Sequence, residues 1–320
     1  MPAPRIDNNS QAGIDCLVVG GGAAGLTATL YLRRFHRRVM LVDAGQSRAL
    51  RIDCSHNIPG FPDGIGGAEL LARLRRQVVG MHGTVTAGEV SALAHDGEGG
   101  FSAMVGGHRL RARQVVLATG VVDNEPPLSG LDALHSCGLL RHCPICDGHE
   151  HSGRRILVLG DGAHARAEAA FLAHYSPHVT LMGVQGPPDA DALACLAARV
   201  AGAAGAAGAA GASDPRPNCL PSLAQRVTPQ PRGGLELQLQ DGSRRPFDVL
   251  YVAMGVSPRH QLAQPLGARL DAQGNLAVDP QCRTSVPGLY AAGDLVGGLD
   301  QWVVSAAQGA IAATALHDSL

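Results

Sequence analysis

Two cysteines of the chain, Cys143 and Cys146, are separated by two residues, and an acid, Asp147, follows directly. Thiols at this spacing can close a small disulfide ring, commonly at the N-terminus of a helix, where the helix dipole stabilises the reactive thiolate. The pattern therefore predicts redox chemistry at a dithiol. Asp147 is useful to such chemistry only if partial burial raises its pKa, and its ordinary alternative is an acid at the start of a helix.

Zinc binding and chemical inertness are the two competing interpretations of the cysteine pair. The further ligands that a zinc site would recruit nearby are Cys137, His142, His149 and His151. The chain has no second Cys-x-x-Cys and no spaced histidine pair, so we predict no metal at the pair. The other six cysteines stand mostly alone, which is typical of a reducing compartment and not of a disulfide scaffold.

A glycine-rich turn covers residues 20–25, between an apolar run at 15–18 and a helical pattern that reaches about Arg34. In such a turn the first glycine permits a tight bend, the second lets backbone N–H groups approach a pyrophosphate, and the third lets helix and strand pack closely. Gly20, Gly22 and Gly25 meet these three demands. Asp43 ends the next strand, where an acid can accept hydrogen bonds from an adenosine ribose.

The same strand, turn and helix pattern occurs again at residues 155–172. Two further strands, at 115–120 and 249–255, each run into a glycine, so the chain is predicted to leave one domain and return to it. The fold class is α/β, with two Rossmann-like nucleotide-binding domains. We predict a discontinuous FAD domain at 1–121 and 248–320, and an inserted NAD(P)-binding-like domain at 122–247 that carries the cysteine pair.

Composition bounds the partners and the location of the protein. Its 320 residues predict two domains, and its 26 basic residues, all arginine, are scattered along a chain of net charge −1, so no nucleic acid partner is expected. No apolar stretch reaches the roughly 20 residues that span a bilayer, and residues 1–10 lack an apolar signal core, which predicts no membrane and a cytoplasmic location. The Ala-Ala-Gly repeats at 201–212 predict a flexible surface insertion.

A third motif lies at residues 284–294, where a strand ends in Asp294, an acid suited to a ribityl hydroxyl. Together with the first glycine turn, this motif indicates FAD more than NAD. In this order the motifs resemble the low-molecular-weight, bacterial-type thioredoxin reductase family from Asp15 to about His317. The resemblance implies a homodimer and a thioredoxin-like or small dithiol partner. It also implies that Cys146 is the thiol nearest the flavin, that Cys143 exchanges with the partner, and that Asp147 moves the proton.

The family's FAD contacts carry over to residues from both ends of the chain. They are Gly20, Gly22, Ala23, Ala24, Gly25, Asp43, Ala44, Gly45, Asn57, Val90, Ala118, Gly120, Gly293, Asp294, Gln301, Trp302 and Val303. The last three depart from the family's usual Arg-Gln-Ala.

The second glycine turn resembles the family's nicotinamide nucleotide site but departs from it, because Ala163 and His164 replace the usual Asp-Ser. The strand at 179–182 is followed neither by the family's His-Arg-Arg cluster nor by an acid suited to an NAD ribose. Arg155 and Arg166 lie nearby in sequence and are the candidates to replace the cluster. The electron donor therefore stays open between NADPH, NADH, a ferredoxin and a flavodoxin.

Three functions fit these residues. The first is a reductase that passes electrons from FAD through the Cys143 and Cys146 pair to a thioredoxin-like protein. The second is a dithiol oxidase that returns electrons from the flavin to oxygen; related oxidases use a histidine beside the pair, and Asp147 stands where they usually carry it. The third is a non-catalytic flavin redox sensor, suggested by the altered second nucleotide site.

Overall fold

The computed structural model describes residues 14–186, 218–220 and 222–320. Its strands are β1 (Ile14–Val19), β2 (Val39–Asp43), β3 (Thr84–Ala87), β4 (Val90–His95), β5 (Phe101–Val105), β6 (His108–Leu117), β7 (Val121–Asp123), β8 (Leu140–Arg141), β9 (Ile156–Leu159), β10 (Val179–Met182), β11 (Asn218–Cys219), β12 (Ala224–Pro229), β13 (Leu235–Leu239), β14 (Arg244–Phe247), β15 (Val249–Val252), β16 (Val256–Pro258) and β17 (Leu289–Ala291). Its α-helices are α1 (Ala23–Arg34), α2 (Gly67–Gly80), α3 (Leu131–Ser136), α4 (Pro144–Asp147), α5 (Gly162–Leu172) and α6 (Trp302–Asp318). Short 3₁₀ helices cover Arg48–Arg51 and Gln264–Leu266. The predicted insertion at 201–212 lies outside the described residues.

The chain divides into two compact units. The first unit is Met1–Val122 with Ser257–Leu320, and the second is Asp123–Val256. The predicted return to the first domain at residue 248 is too early, because β15 pairs with β9 and β8 inside the sheet of the second unit. The apolar run that precedes Gly255 is therefore the last strand of the inserted unit and not the first strand after it.

The first unit is built on a sheet with the strand order β3-β2-β1-β6-β5-β4, in which β17 also pairs with β6. The strands around β1 are parallel and those from β4 to β6 are antiparallel. Consecutive residues of β1 serve two cores: Cys16 and Val18 pack with α1 and α6, while Leu17 and Val19 pack with β4 and β5. A strand buried on both faces reads as a continuous apolar run, which explains the pattern in the sequence.

The second unit repeats this plan around β9. Its parallel sheet has the order β11-β10-β9-β15-β8, and β12, β13 and β14 form a separate antiparallel sheet. Ile156 and Val158 pack with α5, whereas Leu157 and Leu159 pack with leucines of β13. The α/β class with two Rossmann-like units is thus confirmed.

Helix α6 lies against α1 with almost no side chain between them. A Cβ on Gly309 would lie 2.3 Å from the carbonyl oxygen of Ala24, so only glycine fits at this crossing. This contact attaches the C-terminal helix to the helix that follows the first glycine turn. No helix in the described part of the chain is both long enough and apolar enough to cross a bilayer.

We expect Gly309→Ala to lower the free energy of unfolding of the first unit by about 1–3 kcal/mol, because the added methyl group meets backbone that cannot move aside. Gly80→Ala is the matched control, since Gly80 ends α2 and a Cβ there meets nothing within 4 Å. Its stability should be unchanged or slightly raised, because alanine is the better helix former. Urea unfolding followed by circular dichroism measures both, and equal effects would contradict the packing assigned to Gly309.

Candidate active site

The turn after β1 brings three chain segments into backbone contact. Gly20 has a φ of +107°, and a Cβ there would lie 2.2 Å from the carbonyl oxygen of Ala118. A Cβ on Gly25 would lie 1.9 Å from the carbonyl oxygen of Gly20. A Cβ on Gly22, by contrast, would meet only the Ser47 hydroxyl at 3.5 Å, which leaves the start of α1 accessible. Because the first turn of α1 contains no acid, this cradle fits the anionic pyrophosphate of a dinucleotide.

Asp43 ends β2 beside this turn and is buried. Its Oδ1 accepts hydrogen bonds from the backbone N–H groups of Gly21, at 3.2 Å, and Gly45, at 3.0 Å. Its Oδ2 forms an ion pair with Arg75 of α2. The carboxylate is therefore held between the glycine turn and a cation that the sequence analysis did not identify, and its contact with a ribose stays a prediction.

The C-terminal motif meets the N-terminal turn. A Cβ on Gly293 would lie 3.0 Å from the Cβ of Ala24, so the two motifs are in contact although they lie at opposite ends of the chain. The Oδ1 of Asp294 accepts a hydrogen bond from the Ser305 hydroxyl at 2.8 Å, and its Oδ2 lies 3.3 Å from Arg48. Arg48 thus adds a positive charge beside the predicted flavin contacts.

Two more predicted flavin contacts lie together at the start of α6. The side-chain amide of Asn57 donates a hydrogen bond to Oε1 of Gln301 at 2.9 Å. Trp302 packs on a small apolar cluster, and Val303 is exposed.

The remaining predicted flavin contacts lie in or beside the sheet of the first unit. The side chain of Val90 is buried in the core, so only its backbone can contact a cofactor. Ala44 and Gly120 follow β2 and β6 at the same edge of the sheet as the turn.

The turn after β9 has the same backbone geometry as the first. A Cβ on Gly160 would lie 2.2 Å from the carbonyl oxygen of Ala253, as Gly20 does with Ala118. Arg155, a candidate replacement for the phosphate-binding cluster, precedes β9 and forms an ion pair with Asp248 at 2.7 Å. It therefore lies at the opposite end of the strand from the turn, and that role for Arg155 is wrong.

The two turns differ in where they carry their acid. In the first unit the turn residue is Gly21 and the acid is Asp43 at the end of β2. In the second unit the turn itself carries the acid, Asp161, whose Oδ1 accepts a hydrogen bond at 3.0 Å from the N–H of Val184, after β10. Asp161 is the residue directly before α5, which begins at Gly162. Its carboxylate is hydrogen-bonded to the loop after β10, so a negative charge lies near the start of the helix, where such turns bind a pyrophosphate and where two negative charges repel.

Cys143 and Cys146 form a disulfide with a sulfur to sulfur distance of 2.05 Å. Cys143 directly precedes α4 and Cys146 lies within it. Because α4 is a single turn of helix from Pro144 to Asp147, the dipole available to a thiolate is that of one turn only. Three histidines were considered as zinc ligands at the pair: His149 contacts the ring of Tyr175, His151 contacts the ring of Tyr251, and His142 lies 3.2 Å from Glu125. The sulfurs are bonded to each other, which favours redox chemistry over the zinc interpretation.

Asp147 is held in a small polar network beside the disulfide. The hydroxyl of Tyr251 donates a hydrogen bond to its Oδ1 at 2.6 Å, and Nε of Arg141 lies 3.2 Å from its Oδ2. Burial raises the pKa of Asp147, while the Tyr251 hydrogen bond and the Arg141 charge act in the opposite direction. Burial likewise raises the pKa of Tyr251, so its hydroxyl keeps its proton. Asp147 is a carboxyl group with a raised pKa, as its predicted role requires.

Comparison with known proteins decides the class of this site. The family model of pyridine nucleotide-disulphide oxidoreductases matches residues 14–188 and 220–309. The chain belongs to this family. The predicted resemblance to thioredoxin reductases is confirmed, and with it the class of enzyme, a flavoprotein disulfide oxidoreductase.

The similar proteins cover nearly the whole chain. The thioredoxin reductase of Mycolicibacterium smegmatis is 28% identical, and the match covers 96% of each chain. That of Streptomyces coelicolor is 29% identical over 88% of this chain and 85% of its own. Among solved structures, HlmI is 31% identical with a TM-score of 0.85, covering 96% of this chain and 92% of its own.

Four residues that the sequence analysis did not assign to the site contact its predicted members: Arg48, Arg75, Arg141 and Tyr251. The sequence could have indicated Tyr251, since it is the only residue of β15 with a polar side-chain group in an otherwise aliphatic strand. Nothing in the sequence distinguished the three arginines, because arginine side chains usually face solvent.

Asp147 and Asp248 should contribute to stability with opposite pH dependence. Asp248 is an acid of the same unit, and its hydrogen bonds with Arg155 lower its pKa. A raised folded-state pKa gives stability that is present at low pH and is lost as the pH rises through that pKa; a lowered one gives the reverse. The stability of the wild type relative to Asp147→Asn should therefore fall from pH 3 to 7. Relative to Asp248→Asn it should rise. Urea midpoints at each pH measure both, and parallel slopes would contradict the environment assigned to Asp147.

Proposed function

We propose that this enzyme passes two electrons between FAD held by the first unit, the Cys143 and Cys146 disulfide, and a thioredoxin-like protein. The observation that carries the proposal is the disulfide beside a partly buried carboxyl group of raised pKa, in a chain whose first glycine turn fits a dinucleotide. When bound, FAD supplies a two-electron carrier that can exchange electrons with a dithiol. The chain's own residues supply the binding site, the exchanging sulfurs and the proton.

The residues proposed to hold FAD divide by the part of the cofactor they suit. The turn from Gly20 to Gly25 suits the pyrophosphate, Asp43 the adenosine ribose, and Asp294 the ribityl chain. Asn57 and Gln301, which hydrogen-bond to each other, are proposed to face the ring system. Arg48 and Arg75 balance the two carboxylates, so that the site does not present uncompensated negative charge to a diphosphate.

In the proposed exchange, Cys143 forms the mixed disulfide with the partner and Cys146 resolves it. Asp147 is proposed to give a proton to the leaving sulfur, or to take it back in the reverse direction. The Tyr251 hydroxyl and the Arg141 guanidinium fix both carboxyl oxygens, so the proton has a defined donor. Tyr251 and Arg141 are positioning residues in this scheme.

Anaerobic reoxidation tests this proposal directly. The photoreduced protein should be reoxidised by the disulfide form of a thioredoxin, and Cys143→Ser and Cys146→Ser should both reduce this rate to background. Cys137→Ser is the matched control, because Cys137 is an exposed free thiol of the same unit, and it should keep the rate.

The same two variants test which cysteine lies nearer the flavin. Cys143→Ser should strengthen the long-wavelength absorbance of a thiolate beside the flavin, and Cys146→Ser should abolish it. The opposite pattern would exchange the roles of the two cysteines.

Oxygen consumption distinguishes the oxidase from the reductase. A protein that oxidises a small dithiol with oxygen, and leaves thioredoxin disulfide untouched, would overturn the proposed direction of electron flow. Failure of every reoxidation assay would favour the flavin sensor.

We also propose that NADPH is a poor donor and that a ferredoxin or flavodoxin reduces the flavin. The support is Asp161, whose carboxylate stands at the start of α5 and repels a pyrophosphate. Asp161→Asn keeps an oxygen that accepts the Val184 hydrogen bond and removes the charge. It should tighten NADPH binding about tenfold, which corresponds to roughly 1.4 kcal/mol.

Titration calorimetry with NADPH measures this change. Asp132→Asn is the control, since it makes the same charge change in the first turn of α3 and should leave NADPH affinity unaltered. Rapid bleaching of the wild-type flavin by NADPH would contradict the proposal. The homodimer and the cytoplasmic location stay predictions.

A further inference from the structure

Three side chains that no step of the proposed exchange uses converge in the second unit. Glu125 follows β7, His135 lies in α3, and His142 follows β8 and directly precedes Cys143. The Oε1 of Glu125 lies 2.8 Å from Nε2 of His135 and 3.2 Å from Nε2 of His142. The ligand atoms of all three residues lie within 4.8 Å of one another, and each residue is partly buried.

The donor set is one that zinc uses. Two imidazole nitrogens and one carboxylate oxygen form a three-ligand site that leaves a fourth position for water. With metal to ligand distances of about 2.0–2.2 Å, tetrahedral ligands lie about 3.4 Å apart. The two separations from Glu125 are close to this value. The nitrogens of the two histidines lie within 4.8 Å of each other, so their imidazole rings, whose centroids are 5.5 Å apart, approach each other when a metal binds.

The simplest alternative is a purely structural cluster in which Glu125 accepts one hydrogen bond from each histidine. That arrangement accounts for the two short separations. The same convergence of both Nε2 atoms on one oxygen of Glu125, from two different elements, is also the geometry that a cation replacing the two protons requires. The two arrangements differ in whether the protein binds a metal ion, which can be measured. In the part of the chain that the structure describes, no other such group of three is found.

We propose that Glu125, His135 and His142 bind a divalent cation of the zinc class. This site is distinct from the one considered at the cysteine pair, since neither sulfur is a ligand. It does not depend on the proposed electron transfer.

Equilibrium dialysis against Zn²⁺ tests the site, with the disulfide intact and the free thiols alkylated so that cysteines cannot bind the metal. The wild-type protein should bind one zinc ion per chain, measured by mass spectrometry of the metal. Glu125→Gln and His142→Gln should each weaken binding by at least about 100-fold, because losing a ligand costs no less than losing a residue that supports one. His149→Gln is the control, a histidine near the disulfide but outside the cluster, and it should bind zinc as the wild type does.

Thermal unfolding gives a second readout that detects a variant that fails to fold. Zinc should raise the midpoint of the wild type and of His149→Gln, because a ligand that binds only the folded state stabilises it. It should leave the midpoint of a folded Glu125→Gln protein unchanged. A wild-type protein that binds no zinc, or a Glu125→Gln protein that binds it equally well, would overturn the proposal.

Discussion

Backbone packed directly against backbone at the end of a parallel strand is the constraint on which both units depend. The carbonyl oxygen of Ala118 occupies the space that a side chain at Gly20 would need, and Ala253 stands in the same relation to Gly160. This close approach fixes where each following helix begins, and so fixes the position of its N-terminal N–H groups. The C-terminal segment, which carries further predicted cofactor contacts, packs against Ala24 at the start of α1 through Gly293 and Gly309.

The two units share this backbone arrangement but differ in the charge that they place at the turn. In the first, the acid lies at the end of β2 and donors of the turn bind it, so the helix start stays uncharged. In the second, Asp161 carries the charge into the turn and binds the loop beyond β10. In both units a hydrogen bond joins the glycine turn to the end of the next strand. In the first unit the turn residue Gly21 donates it to Asp43, and in the second the turn residue Asp161 accepts it from Val184. The same fold thus provides one turn without an acidic side chain and one that carries a carboxylate.

Most of the fold could be predicted from the sequence because strands buried on both faces leave a clear apolar signal. The turn at Gly20, the helix through Arg34 and the second strand, turn and helix follow directly from it. The boundary near residue 248 was wrong because an apolar strand shows that it is buried but not which sheet it joins. That choice is made by its pairing with β9, which depends on residues nearly a hundred positions away.

The site was predicted less completely than the fold. The cysteines, Asp147, Asp43 and Asp294 belong to local motifs, and each motif could be recognised where it stands. Arg75, Tyr251 and the cluster of Glu125, His135 and His142 are brought together only by the packing of separate elements. Their chemistry depends on distances between side chains, which spacing along the chain does not encode.

The pairing of β7 with β16 has a practical consequence for dissecting this enzyme. These two strands contain the points where the chain passes from the first unit to the second and back, so the entry and exit of the insertion are neighbours, about 5 Å apart as in any strand pair. A short glycine linker from Val122 to Ser257 could therefore replace the whole inserted segment without stretching the chain. The first unit could then be produced without the second, and its cofactor affinity could be studied in a chain that lacks both Cys143 and Cys146.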